Sequence, residues 1–381
     1  MKEPQSPPPE VRIPEETLER WEARGIDRRD FLKFCTTMAA TMALPMSFVP
    51  QIAAALDADD RPSVIWLEFQ SCSGDTEALL RARAPSAADL ILDYISLEYS
   101  EVVMAAAGWQ AEEAKHQAME RHKGKYIAVV EGAVAAGDGG VYCTVAGESS
   151  LAIARKVCGN ALATIAVGTC ATYGGIPAAA PNPSGSISVK EAVPGATVIN
   201  LPGCPLNAEN LTATIVHFLT FGSLPATDRF GRPRFAYGKR IHDNCERRGH
   251  FDAGQYAEAF GDPGHRDGWC LYKLGCKGPQ TFHNCPTVRY NETSWPVMAG
   301  HGCIGCSEPQ FWDTMTPFYR RLPQVPGFGI EATADRIGLG LAAATALAFG
   351  AHGVVSGFRK GDKHETQEVV KDEDIKVVKE D

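Results

Sequence analysis

Residues 63–83 read SVIWLEFQSCSGDTEALLRAR. A strand-like apolar run, SVIWLEF, leads into a small-residue loop carrying Cys72, Ser73, Gly74 and Asp75, and then into the helical run TEALLRAR. Strand, loop and helix in that order are the unit from which α/β sheets are wound. The spacing Cys72-x-x-Asp75 is that of a C-x-x-C pair whose second sulfur has become a carboxylate. Cys72 is therefore either one leg of a metal site with an altered partner or a lone thiol beside a helix-capping aspartate.

Working outward, the same alternation continues to about residue 222. LILDYISLEYS, YIAVVEGAV, ALATIAVG and ATVINL read as short apolar strands. VVMAAAGWQAEEAKHQAMERH, SSLAIARKVCG and NAENLTATIVHFLTF read as helices between or after them. The pattern predicts a mainly parallel sheet with helices on both faces. In such sheets ligands collect in the loops beyond the carboxyl ends of the strands. Cys72 follows the first strand, Cys170 follows TIAVG and Cys204 follows VINLPG, so all three fall on one edge, with Asp75 as a fourth corner. Cys143 and Cys158 lack this placement and read as structural thiols.

Beyond Gly222 the character changes. Residues 223–323 are rich in Pro, Gly, aromatic residues and Cys and show little periodicity, so metal ligation is the expected organising force. Half of the chain's 12 cysteines lie between Cys245 and Cys306. One group is His242-x-x-Cys245 with Cys270 and Cys276; the other is Cys285 with Cys303-x-x-Cys306. HxxC and CxxC pairs suit tetrahedral zinc, and an exported protein could instead form disulfides. The second group, however, offers three thiolates and no evident fourth ligand, which suits an iron–sulfur cluster lacking one iron better than a closed zinc site. CxxC also spans too short a loop for a disulfide to stabilise much. A structural zinc-binding exported protein stays the rival reading.

The two ends point to export. DRRDFLKF (27–34) carries a twin arginine, Arg28 and Arg29, ahead of a mild apolar run and a small-residue site at Ala53-Ala54-Ala55, the layout of a twin-arginine signal. Ile337 to Phe358 lacks Asp, Glu, Lys and Arg, and as a helix it would span about 33 Å, enough for a bilayer core. Arg359, Lys360 and Lys363 follow, which sets the tail on the cytoplasmic side and the body outside. The expected organisation is a signal segment at 1–55, an α/β domain at 56–222, a cysteine-rich domain at 223–330, a transmembrane anchor at 337–358 and a charged tail at 359–381. Net charge is −9 without a basic, aromatic-studded surface, which argues against nucleic-acid binding.

The runs RRDFLKFC, IWLEFQSCSG, VGTCATYGGIPAA, LPGCPLNAEN, KGPQTFHNCP and WPVMAGHGCIGCSEPQFW resemble those of the small, electron-transferring subunit of membrane-bound [NiFe] hydrogenases, over about residues 20–358. That resemblance implies a flavodoxin-like N-terminal domain, a C-terminal domain organised by clusters, and a large partner protein holding the nickel–iron centre. By position it implies a proximal [4Fe–4S] cluster on Cys72, Asp75, Cys170 and Cys204, and a distal [4Fe–4S] cluster on His242, Cys245, Cys270 and Cys276. It implies a medial [3Fe–4S] cluster on Cys285, Cys303 and Cys306, with Pro296 where some relatives have a fourth cysteine. No residue of this chain is then a catalytic nickel ligand. A membrane cytochrome b or quinone as acceptor, and a dimer of heterodimers, are further implications. The chain departs from the common pattern at Asp75, where the family commonly has Cys and some relatives have Asp. Gly74 and Gly175 stand where oxygen-tolerant relatives place extra cysteines, so a six-cysteine proximal cluster is not expected.

Overall fold

The computed structural model describes residues 13–23, 26–57, 61–83, 85–321 and 334–365. The beginning of the signal segment, residues 322–330 and the tail from 366 lie outside them. Three helices come first, α1 (Glu15–Ala23), α2 (Arg28–Thr41) and α3 (Val49–Leu56). The sheet that follows has five parallel strands: β1 (Ser63–Glu68), β2 (Ser96–Ser100), β3 (Ile127–Glu131), β4 (Ala163–Val167) and β5 (Val198–Leu201). Their spatial order is 2-1-3-4-5, that of flavodoxin-like sheets, with the switch in winding direction between β1 and β3.

Both faces of this sheet are buried, which is why its strands read as near-continuous apolar runs. Val64, Trp66, Ile127, Val129, Ile165 and Val167 join one core. Ile65, Leu67, Ala128, Val130 and Ala166 join the other, as the two-residue alternation of a strand requires. Helices α4 (Gly74–Leu80), α5 (Trp109–Arg121), α6 (Ser150–Cys158), α7 (Gly168–Tyr173) and α8 (Ala208–Phe221) connect or flank the strands.

Two expected elements come out shorter. Leu90–Tyr94 is a helical turn entered through a capping box between Ser86 and Asp89, and only Ser96–Ser100 of LILDYISLEYS is strand. Helix α5 begins at Trp109 because Gly108 before it has φ +55, a left-handed conformation that breaks the helix there.

The segment carrying the arginine pair is folded onto the body. Asp27 caps α2 by accepting from Arg29 N at 2.6 Å. Trp21 stacks on Phe31 at 4.8 Å, and Phe34 on Tyr94 at 5.4 Å. Phe31, Cys35, Met38, Ile52 and Ala53 are buried in the same core as β1 and α8, while Arg28 and Arg29 stay exposed.

The second domain is held differently. It consists of single helical turns joined by irregular chain, and among the described residues its apolar cluster has eight buried residues, two of them Cys285 and Cys303. Near the end, α9 (Ala334–Glu365) contains one stretch, Gly338–Gly357, long and apolar enough to cross a membrane. Its Leu339, Leu347 and Phe349 are all more than 70% exposed.

Candidate metal centres

The register sets Glu68, Glu131, Val167 and Leu201 level with one another at the carboxyl edge of the sheet. Just past that edge, Cys72, Asp75, Cys170 and Cys204 line a single cavity of about 110 Å³, together with Gly74, Glu131, Thr169 and Gly203. The expected convergence of the sheet-edge residues is thus realised.

Asp75 is not the cap of α4. The N-cap is Ser73, in a left-handed conformation at φ 56. The Asp75 carboxylate turns across the cavity, where Oδ1 accepts from Leu206 N at 2.6 Å. A Cβ on Gly168 would lie 1.9 Å from Asp75 Oδ2, and one on Gly175 would lie 2.6 Å from Cys170 Sγ. These positions leave no room for a side chain, because the backbone closes directly on the candidate ligands. Burial, followed by repulsion from Glu131, pushes Asp75 up to about 8.

The donors at the start of α4 are met by Glu131, which sequence reasoning did not single out. Its Oε1 accepts from Asp75 N at 3.1 Å and its Oε2 from Thr76 N at 2.9 Å. Thr76 Oγ1 lies 2.7 Å from Glu131 Oε2 and 3.0 Å from Glu68 Oε1. One hydroxyl proton serves only one of these carboxylates at a time. Burial and the neighbouring Glu131 raise Glu68.

In the second domain, His242, Cys245, Cys270 and Cys276 line one cavity with Tyr272 and Pro279. His242 packs edge-on against Phe251 at 4.5 Å, and burial lowers it to about 4, leaving the neutral imidazole that can ligate. Cys285 and Cys303 are buried and Cys306 is half-buried. Cys306 lies within electrostatic reach of both. Cys285 Sγ sits 3.0 Å from Nδ1 of His283, another neighbour that the sequence pattern did not mark. Pro296 is exposed between buried Trp295 and Val297.

Backbone amides point at several of these sulfurs. Arg247 N reaches Cys245 Sγ at 3.4 Å, Gly305 N reaches Cys303 Sγ at 3.3 Å, and Cys303 N reaches Cys276 Sγ at 3.3 Å. Burial pushes the free thiols up, Cys170 and Cys245 to about 11 and Cys204 and Cys270 to about 12. In the metal-free chain these groups therefore hold their protons at neutral pH, and ligation would release them.

The three sets are also contiguous. Cys204 and Cys306 interact electrostatically, and Thr169 Oγ1 donates to Cys306 O while accepting from Gly203 N at 3.0 Å. Cys276 and Cys303 are tied by the N–H to sulfur contact given above. Among the described residues no three of His, Cys, Asp or Glu close around a single ion. Sulfurs with backbone amides aimed at them and glycines at the lip suit iron–sulfur cages.

Two family models match the chain. Residues 72–218 match the family described as NADH ubiquinone oxidoreductase, 20 Kd subunit. Residues 237–319 match the C-terminal family of the NiFe/NiFeSe hydrogenase small subunit. The latter covers the HxxC and CIGC sets, which separates the chain from a respiratory-complex protein. The quinone-reactive Ni/Fe-hydrogenase small chain of Wolinella succinogenes is 50% identical over 344 residues, 88% of this chain and 97% of that protein.

The chain belongs to the [NiFe]-hydrogenase small-subunit family.

The uptake hydrogenase small subunit of Azotobacter vinelandii is 46% identical over 345 residues, 89% of this chain and 96% of that one. The [NiFeSe] hydrogenase structure from Desulfomicrobium baculatum superposes with a TM-score of 0.65 at 35% identity, over 69% of this chain and 100% of that chain. As a hydrogenase small subunit, the chain is one half of an oxidoreductase heterodimer; it partners a large subunit and belongs to a family that carries iron–sulfur clusters.

Proposed function

We propose that this chain carries electrons from H2 oxidation in the large subunit to a membrane acceptor, through proximal, medial and distal sites in that order. The observation that carries this reading is the contiguity of the three ligand sets, through Cys204 and Cys306 at one junction and Cys276 and Cys303 at the other. Cys72, Asp75, Cys170 and Cys204 would hold a [4Fe–4S] cluster, Cys285, Cys303 and Cys306 a [3Fe–4S] cluster, and His242, Cys245, Cys270 and Cys276 a second [4Fe–4S] cluster. When bound, the clusters supply one-electron transfer at potentials that the protein tunes. The chain's own part is to fix the ligands, exclude water and aim amides at the sulfurs.

The acceptor side is read from two features. The exposed apolar stretch Gly338–Gly357 suits a membrane anchor, and the Wolinella relative is named for its reactivity with quinone. A membrane cytochrome b passing electrons to quinone is the acceptor this favours. The body would lie on the outer side of the membrane after twin-arginine export, as a heterodimer that pairs with a second one.

The test is a redox titration of the purified heterodimer followed by electron paramagnetic resonance. Three separate iron–sulfur signals are expected, and Cys285→Ala should remove the [3Fe–4S] signal alone. Loss of a different signal, or of none, would overturn the assignment.

A further inference from the structure

Lys277 stands next to Cys276 and is 1% exposed. A charge so buried must be fully hydrogen-bonded or paired. Its Nζ donates to Gly275 O at 2.7 Å, to Pro317 O at 3.1 Å and to Arg320 O. Three carbonyls match the three donors of an ammonium, whereas a neutral amine would turn a lone pair on one of them. The cage therefore selects the charged form. Burial weakens its hold on the proton, and the sulfurs of Cys276 and Cys303 strengthen it.

Those sulfurs belong to different sets. Cys276 lines the cavity with His242, Cys245 and Cys270, while Cys303 reaches Cys306. The backbone stitches the junction: Lys277 N donates to Cys303 O at 2.7 Å, and Cys303 N donates to Cys276 Sγ at 3.3 Å. A fixed cation beside a centre that gains an electron favours its reduced form, and low surrounding polarity strengthens the effect.

We propose that Lys277 is an electrostatic positioning residue: its caged ammonium is a permanent positive charge at the junction of the medial and distal clusters and raises the reduction potential of both. This rests on the ligand assignment given under Proposed function. The carbonyl cage also ties the 317–320 segment to the cluster domain, so a purely structural role is the competing account.

The two roles separate in the assembled heterodimer by redox titration of the medial and distal signals. Lys277→Gln keeps hydrogen-bond donors but removes the charge, and Lys277→Arg keeps the charge. The expected result is full iron and sulfide content in both variants, with both midpoint potentials lower in Lys277→Gln and near the parent values in Lys277→Arg. Unmoved potentials in a cluster-loaded Lys277→Gln protein would overturn the proposal. So would loss of both clusters in Lys277→Gln with both retained in Lys277→Arg at unshifted potentials, an outcome that assigns the residue to folding. Cys276→Ala and Cys303→Ala are run alongside. Intact signals there would defeat the ligand assignment, whereas lost signals there with unmoved Lys277→Gln potentials defeat only the tuning role.

Discussion

Asp75 is the site residue with two competing readings, iron ligand and helix cap. Its carboxylate faces the other three proximal candidates and is held by Leu206 N, so helix capping no longer accounts for it. A carboxylate is a harder donor than a thiolate and should change the charge and potential of a cluster it binds. Asp75→Cys is expected to move the proximal midpoint potential while keeping the iron. Asp75→Asn should weaken or convert the proximal signal and leave the other two intact, as followed by the same titration.

The pH dependence has a definite sign. Burial raises Asp75 to about 8 in the metal-free chain, so below that pH the carboxyl keeps its proton and must give it up to ligate iron. Cluster uptake should therefore strengthen as pH rises towards 8, with Asp75 contributing up to about tenfold per pH unit below it. Measured as proximal signal recovered during reconstitution between pH 6 and 8, the slope should fall by about one proton in Asp75→Asn. An unchanged slope would remove Asp75 from the linkage. The identity of Asp75 as a candidate was legible from its spacing to Cys72. The roles of Glu131 and Glu68 were not, because both sit inside strands where a single acidic residue carries no periodic signal, and only the strand register brings them to the site.

At the scale of elements, the same contrast holds. Strand–helix alternation from 63 to 222 was enough to predict the sheet and to put three cysteines on one edge. The run 90–94 misled because its apolar residues suit a strand as well as a buried helical turn, and the capping box before it decided for the turn. What ties the 228–232 turn to the CIGC motif within the second domain was not legible at all. Arg232 is buried, pairs with Glu308 at 3.1 Å and with Asp228 at 2.8 Å, and reaches Ser307 O, beside the CIGC motif. Glu308 Oε1 also accepts from Phe282 N at 2.7 Å. Removing one partner of a buried pair leaves the other charge uncompensated, a cost of about 3–5 kcal/mol. Arg232→Met is expected to lower stability by that order and to loosen the medial set first, seen as loss of the [3Fe–4S] signal at denaturant concentrations where the proximal signal survives.

On the scale of the whole molecule, the arginine-pair segment is the main surprise. Its motif has the layout of an export signal, and in the full chain Phe31, Phe34 and Ala53 are buried while the arginines are displayed. Periodicity alone could not show this, because a mild apolar run suits a signal and an amphipathic core helix equally. Docking of this kind predicts that Ala53 is protected until α3 detaches. Trp21→Ala removes a fully buried indole at a cost of about 3–5 kcal/mol. Hydrogen exchange and limited proteolysis of residues 28–56 should then become fast while the sheet stays protected. Equal rates in parent and variant would contradict the docking.

The central claim is that separated positions along one chain converge into three adjoining iron–sulfur sites. The most direct measurement is iron anomalous diffraction from crystals of the anaerobically purified heterodimer. The account predicts three groups of iron peaks in this protein, bonded in turn to the Cys72, Asp75, Cys170 and Cys204 set, the Cys285, Cys303 and Cys306 set, and the His242, Cys245, Cys270 and Cys276 set. Iron bonded to other side chains, or fewer than three groups in fully loaded protein, would contradict it.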